Sequence, residues 1–390
     1  MSETTTIHEL EERLAALVQQ PTSDNRQKID LLNALAWQLS DIDAQRAYAC
    51  GEEAHALACA PDAAGAPYQV GIAGSLRTLG YLNQRAGEHA QGLRQLLQAL
   101  ELCETHQISD ALVDVLDGLA GIYFQIGDFP TSLTYIYRQL AAAQRIDDKR
   151  RVANAFNNLA NLYWEMDDDA RAEEILRQNL QLADEIGFDR IKTLALMNLA
   201  EAYRRTCAYP QALDYIWAAL AVSQQAGFPV FEVYAYEIAG KIYVQMGDPA
   251  AALPCLTQAL TLSNALASRV TEVLILLDLG QAYLELQHFD LALASLQQGV
   301  AVATAIDARS ELATAHRLLA EAYEKMGDAA QALAHFKQHQ VFKEEVAGEK
   351  AEQRLQLLQV THDTENARQE AEIARLRAAE LLTLNERLEH

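Results

Sequence analysis

Small residues stand at an unbroken interval of forty: Gly80, Ala120, Ala160, Ala200, Gly240, Gly280 and Ala320. Three places later the same interval reads Asn83, Tyr123, Tyr163, Tyr203, Tyr243, Tyr283 and Tyr323. Nine beyond that come Gly92, Ser132, Ala172, Ala212, Ala252, Ala292 and Ala332. An apolar column follows at Leu100, Leu140, Leu180, Leu220, Leu260 and Val300. A period of this length held without slippage marks stacked supersecondary units, each burying its apolar face on its neighbours. That constraint precedes any other reading of the chain.

The content of one unit follows from its punctuation. Between the tyrosine and the second small residue lie Gly87-Glu88, Gly127-Asp128, Asp167-Asp168, Gly247-Asp248 and Gly327-Asp328. Glycine ends a helix in the left-handed conformation, and aspartate accepts hydrogen bonds from the free amides that open the next. Pro130, Pro210 and Pro249 fall in the first turn of the second helix, where a missing N–H costs nothing. Each unit is therefore predicted to be a helix pair, A then B, whose backbones meet at the small residues while the tyrosine fills the space beside them.

These residues resemble the tetratricopeptide repeat (TPR). Its pattern stands as Leu119-Ala120, Tyr123, Gly127 and Ser132, and again as Leu319-Ala320, Tyr323, Gly327 and Ala332. The family's usual period is shorter by six residues; the longer one is similar to repeats of kinesin light chains and of bacterial signalling TPR proteins. A weaker first unit holds Leu35-Ala36 and Leu39, offset by four extra residues around 60–67. The implied fold is all-α: a right-handed TPR superhelical solenoid of about eight helix-turn-helix repeats, followed by a long coiled-coil-like C-terminal helix. The implied division is an N-terminal capping helix and linker over 1–26, the solenoid over 27–347 and a signalling helix over 348–390. Pro254, about five residues into its B helix, is expected to bend or delay that helix.

Composition narrows the function classes. A formal charge of −23 opposes a nucleic-acid partner and leans towards a basic or neutral ligand. No apolar run spans a bilayer and Met1–Thr6 is no signal peptide, so a cytoplasmic protein without a membrane partner is expected. The five cysteines show no paired spacing and read as small buried hydrophobes. Catalytic constellations and cofactor motifs are missing from the pattern, so no enzyme and no cofactor is expected from it. His335 and His339, four apart with Glu344 and Glu345 nearby, can share a metal in principle, but Phe336-Lys337-Gln338 lacks a zinc-protease glutamate, and a lone pair reads as surface chemistry.

At the N-terminus, Thr6 and Glu9 form a capping box ahead of Leu10, Leu14 and Leu17, which predicts a lid on the first repeat. At the C-terminus a heptad runs from Leu357 to Leu388, with Asn385 able to fix the register of two strands. Its seam is rich in alanine, so self-pairing through this helix competes with an unpaired exposed helix as a reading. The stretch Arg368–Arg377 is similar to the connector of TPR proteins that carry a GGDEF diguanylate cyclase or a histidine kinase. With Leu388-Glu389-His390 resembling a tag remnant, the expectation is the input half of a two-part signalling protein.

Family analogy places function in the concave groove, on residues nine, six and two before the tyrosine and one and two after it. The site so implied comprises Asn154, Asn157, Asn161, Trp164, Glu201, Arg204, Arg205, Tyr234, Glu237 and Lys241. Amides can bracket an extended peptide backbone, Trp164 can seat an apolar side chain, and Arg204-Arg205 can fork a carboxylate. The alternative is that the asparagines bond neighbouring helices. Asn157 beside Asn161 departs from the dicarboxylate clamp of chaperone-binding TPR proteins. The leading function is a peptide- or protein-binding sensory module controlling an output domain; the rival is a free-standing scaffold or a Rap-like peptide receptor.

Overall fold

A computed structural model of the chain describes residues 3–18, 25–61 and 65–388. Among these the chain is all-α. A short helix, α1 (Glu3–Val18), is followed by eight pairs: α2 (Asn25–Leu39) with α3 (Ala44–Cys59), α4 (Gln69–Arg85) with α5 (His89–Thr105), α6 (Ser109–Gln125) with α7 (Phe129–Arg145), and α8 (Lys149–Glu165) with α9 (Asp169–Ile186). Then come α10 (Asp189–Arg205) with α11 (Tyr209–Ala226), α12 (Pro229–Gln245) with α13 (Pro249–Ala265), α14 (Arg269–Glu285) with α15 (Phe289–Ala305), and α16 (Arg309–Lys325) with the first turns of α17 (Ala329–Leu388). The chain forms two compact units, Met1–Asp148 with Ala351–His390, and Lys149–Lys350.

Turn geometry explains the long period. Residues 87, 127, 167, 207, 247, 287 and 327 all have positive φ, and so do 107, 147, 187, 227, 267 and 307. A left-handed residue therefore closes helix after helix at a spacing of twenty. The bonds repeat as well: Glu88 N–H donates to the Asn83 carbonyl at 2.8 Å and Asp128 N–H to that of Tyr123 at 3.0 Å, the wide bond of a Schellman turn. Most repeat helices are 17 residues long, and two of these with two three-residue turns make the forty-residue unit. Asp128, Asp168, Asp248 and Asp328 each accept from the amide three residues on, as their positions predict.

Seven of these turn positions lack glycine, among them Ala267 at φ 53°. A left-handed alanine carries about 1–2 kcal/mol of strain, part of which glycine offsets by its greater freedom when unfolded. Ala267→Gly is thus expected to stabilise by about 0.5–1 kcal/mol, read as a raised urea midpoint.

In the first unit, α1 lies on α2, and Leu10 and Leu17 share a core with Leu31, Leu35 and Leu39. The helix starts at Glu3, which puts Thr6 inside it and removes the capping box at Thr6. The small residues do bring A and B together: a Cβ on Gly92 would lie 2.9 Å from the carbonyl oxygen of Gly80. In the second unit, successive A helices pack side by side, α8 on α10, α10 on α12, α12 on α14 and α14 on α16. Tyr163 is buried; Tyr203 stacks on Tyr215 with centroids 5.3 Å apart and donates to Glu173 at 2.5 Å. Pro254 does not delay α13, which starts at Pro249 and runs on to Ala265.

Candidate functional site

The A helices of the second unit carry all ten groove residues the sequence points to, and the structure sorts them into two groups. Asn154, Asn157, Asn161 and Trp164 ride on α8; Asn154 is exposed and the other three are half-buried. Asn157 is not free: Asn198 on α10 donates its amide N–H to the Asn157 side-chain oxygen. Trp164 packs on the core formed by Ala160, Leu176, Leu199 and Ala202, and its buried indole N–H has no hydrogen-bond partner. The two arginines part company. Arg204 donates to Glu201 one turn earlier, with Nε 2.7 Å from Oε2. Arg205 turns to α9, where Nε donates to Asp169 Oδ1 at 3.1 Å, and Nη2 reaches the Trp164 carbonyl at 3.3 Å. The joint fork expected of the pair is therefore absent, because each guanidinium already has a carboxylate nearby.

The second group is a network of charges across α10, α12 and α14. Lys241 Nζ lies 2.5 Å from Glu237 Oε1 and 3.5 Å from Asp278 Oδ2. Glu237 is 4% exposed. Asp278 Oδ2 is buried and makes no hydrogen bond, its contact with the ammonium being long. Burial pushes the Asp278 carboxyl up to about 7, against the pull of the Lys241 ammonium and with a push from Glu237. Lys241 is raised: desolvation opposes its charge, and Asp278 and Glu237 together outweigh that. Arg204 is raised chiefly by its hydrogen bond to Glu201. Tyr234 lies beside this network, partly buried in the core of α10 to α12.

Asn198 and Asp278 are the two residues the sequence reading missed. Both sit five places before their tyrosine. The columns at nine and two before it are seven apart, so a helix face through them must include the position four after the first. That periodicity was available and points to both.

At the far end of this unit His335 and His339 do not converge on an ion. His339 Nδ1 donates to the Ala313 carbonyl at 2.8 Å, and His335 Nδ1 meets His316 Nδ1 at 2.9 Å. The ring centroids are 5.1 Å apart. Two nitrogens bound to one metal at about 2.1 Å, and this close together, would bring the centroids to roughly 4.5 Å; the longer separation fits an in-line N–H···N bond. Burial, then the neighbouring His335 and His339, lower His316, and burial lowers His335, which favours the neutral rings such a bond needs. No helix among the described residues is long and apolar enough to cross a membrane.

A tetratricopeptide repeat profile matches residues 108–185 and 231–305. This chain contains tetratricopeptide repeats. Aspartyl phosphate phosphatase F from Bacillus subtilis is similar in structure, with TM-score 0.60 and 12% identity over 88% of this chain and 94% of that one. A Rap protein complexed with competence and sporulation factor gives TM-score 0.54 at 14% identity, over 89% and 99%. The Rap conjugation gene regulator of plasmid pLS20, in complex with the Phr* peptide, gives 0.55 at 11%, over 88% and 96%. At these identities the likeness is one of fold. No curated protein sequence matches the chain.

Proposed function

We infer that the A-helix face of the second unit binds a peptide segment carrying a basic group, and that the chain is a peptide- or protein-binding module. The carrying observation is the Glu237–Lys241–Asp278 network. Two carboxylates and one ammonium in a largely desolvated place cost stability unless something compensates them. Titratable groups displaced by burial cluster at functional sites. With Glu201 and Arg204 the five groups sum to one negative charge when all are ionised, and Asp278 lacks a close donor. An incoming ammonium or guanidinium supplies that donor and favours the ionised carboxylate. The exposed Asn154 and the half-buried Asn161 on α8 supply amides for the peptide backbone on the same row of A helices. The chain's charge of −23 draws in a basic partner, and a Rap regulator of similar fold has been captured with the Phr* peptide. The connector-like stretch of α17 makes that helix the element through which such a module would pass its state to an output domain.

The test is selection of displayed decapeptides on the full chain, then calorimetry of the best binders at pH 6 and pH 8. Selected peptides should carry Lys or Arg, bind several-fold more tightly at pH 8, where Asp278 is ionised, and release a proton on binding at pH 6. Asp278→Asn should abolish the pH dependence. Acidic selected peptides, or a pH dependence that survives Asp278→Asn, would refute this site.

A further inference from the structure

The tail does not run free past the last repeat. Between Ala351 and Thr364 most residues of α17 are exposed, yet Leu357 is 0% and Val360 4% exposed, while Thr361 and Thr364 are half-buried. Positions 357, 360, 361 and 364 form one face of a helix. Their neighbours on the other faces, Leu355 at 68% and Leu358 at 53%, stand in solvent. Residues from Ala351 onward belong to the same compact unit as Met1–Asp148. The point of attachment is Tyr123 on α6, whose hydroxyl lies 3.4 Å from Thr361 Oγ1. Thr361 gives its own proton to the Leu357 carbonyl at 3.0 Å, so the tyrosine is the donor. Tyr123 is the repeat tyrosine of α6 and stacks on Tyr135 of α7, with centroids 5.5 Å apart, so the tail meets the first unit where this helix pair joins. Ala367 and Ile373, off this face, are exposed.

We propose that the surface of the first unit around Tyr123 is a helix-receiving surface, held shut in cis by residues 354–364. Its partner in trans is an amphipathic helix presenting the same face, a leucine followed at three, four and seven places by a β-branched aliphatic and two hydroxyl residues. Three features carry this. The two buried residues are aliphatic, which is the character a helix-in-groove anchor needs. The face is engaged through helical spacing and a side-chain hydroxyl, with no strand-like pairing. The tether also keeps the effective concentration of the tail high, so an outside helix succeeds only when the tail lets go. The surface is separate from the charged network of α10, α12 and α14 and does not rest on that reading. It also bears on the heptad: Leu357 and Val360, the first two seam positions, are buried within the chain and unavailable to a second one while docked. The seam positions at 371, 374, 378, 381, 385 and 388 lie outside the described side chains.

The experiment adds a labelled synthetic peptide of residues 351–368 to the full chain and to its Leu357→Asp/Val360→Asp variant. Hydrogen exchange over 354–364 reports whether the tail is released. In the wild-type chain the segment should be protected and the peptide bound weakly. In the variant the segment should exchange at least tenfold faster and the peptide bind at least tenfold more tightly, while a peptide carrying the same two aspartates binds neither chain. Leu358→Asp, on the exposed side, should behave as wild type. The proposal is overturned if a released tail leaves no affinity for the peptide, if wild type and variant bind it equally, or if segment 354–364 exchanges in the wild type as fast as in the variant.

Discussion

Lys241→Met is expected to destabilise the second unit by about 3 kcal/mol at pH 8 and by visibly less at pH 5. The ammonium is the single cation within 4 Å of both Glu237 and Asp278 among the described residues. Removing one member of a buried group of charges leaves the others uncompensated, which costs more than the pair was worth. The pH dependence follows from Asp278. Its carboxyl loses its proton near 3.8 in the unfolded chain and near 7 in the folded one. Between these values the native state binds more protons than the unfolded state, so this group's contribution falls as pH rises through that window and is level on either side. Without the ammonium the folded value climbs further, the window widens upward, and the gap to wild type opens above neutrality. At pH 5 Asp278 is protonated in both folded proteins, leaving chiefly the lost Glu237 contact. Urea unfolding at the two pH values reads the difference, and adding Asp278→Asn to the variant should recover most of the loss at pH 8. An equal cost at both pH values would mean that Lys241 and Asp278 are not coupled.

The repeat was legible because its signals are local. A glycine or aspartate at the turn and a tyrosine three places after a small residue act within one helix pair, and each unit states them anew. The left-handed turns at Gln107, Cys207, Ala267 and Gln287 were not legible as such, since none of these residues favours positive φ. Tertiary packing of equal-length helices imposes that conformation. The row of A-helix side chains was legible in position but not in pairing. Column arithmetic put Glu201, Arg204, Glu237 and Lys241 on one row, and they are there. It could not say that Arg205 turns aside to Asp169, because that depends on a side chain reaching the neighbouring pair. Asn157 is spoken for by Asn198 through the same kind of cross-helix bond. For the tail, the heptad marked the right face, with Leu357 and Val360 on it. A helical period says which residues seek cover; it does not say whether a second chain or the same chain supplies it.

Arg77→Leu is expected to destabilise the first unit by about 3–5 kcal/mol. Arg77 on α4 shares its column with Asn157 and Glu237, but here the column is turned to structure. The side chain is 10% exposed; Nη1 lies 3.0 Å from Asp114 Oδ2 on α6, and the guanidinium sits 4.0 Å from the ring centroid of Trp37 on α2. One residue therefore ties three successive A helices, by a buried ion pair on one side and a cation–π contact on the other. Leucine removes both and takes the guanidinium away from the largely buried Asp114 carboxylate, and that loss should dominate. Lysine keeps the charge but lacks the flat, weakly hydrated guanidinium that stacks on Trp37, so Arg77→Lys should lose about 1–2 kcal/mol. The deciding variant is Arg77→Leu with Asp114→Leu. If the loss of the guanidinium beside Asp114 sets the cost, the double variant regains most of the stability, because an apolar pair of similar volume replaces a buried ion pair at little penalty. If it stays as unstable as Arg77→Leu alone, the Trp37 stack holds α2 to α4 and the ion pair is secondary. Hydrogen exchange resolved over α2, α4 and α6 separates the two outcomes, since a lost stack loosens α2 first and a lost ion pair loosens α6.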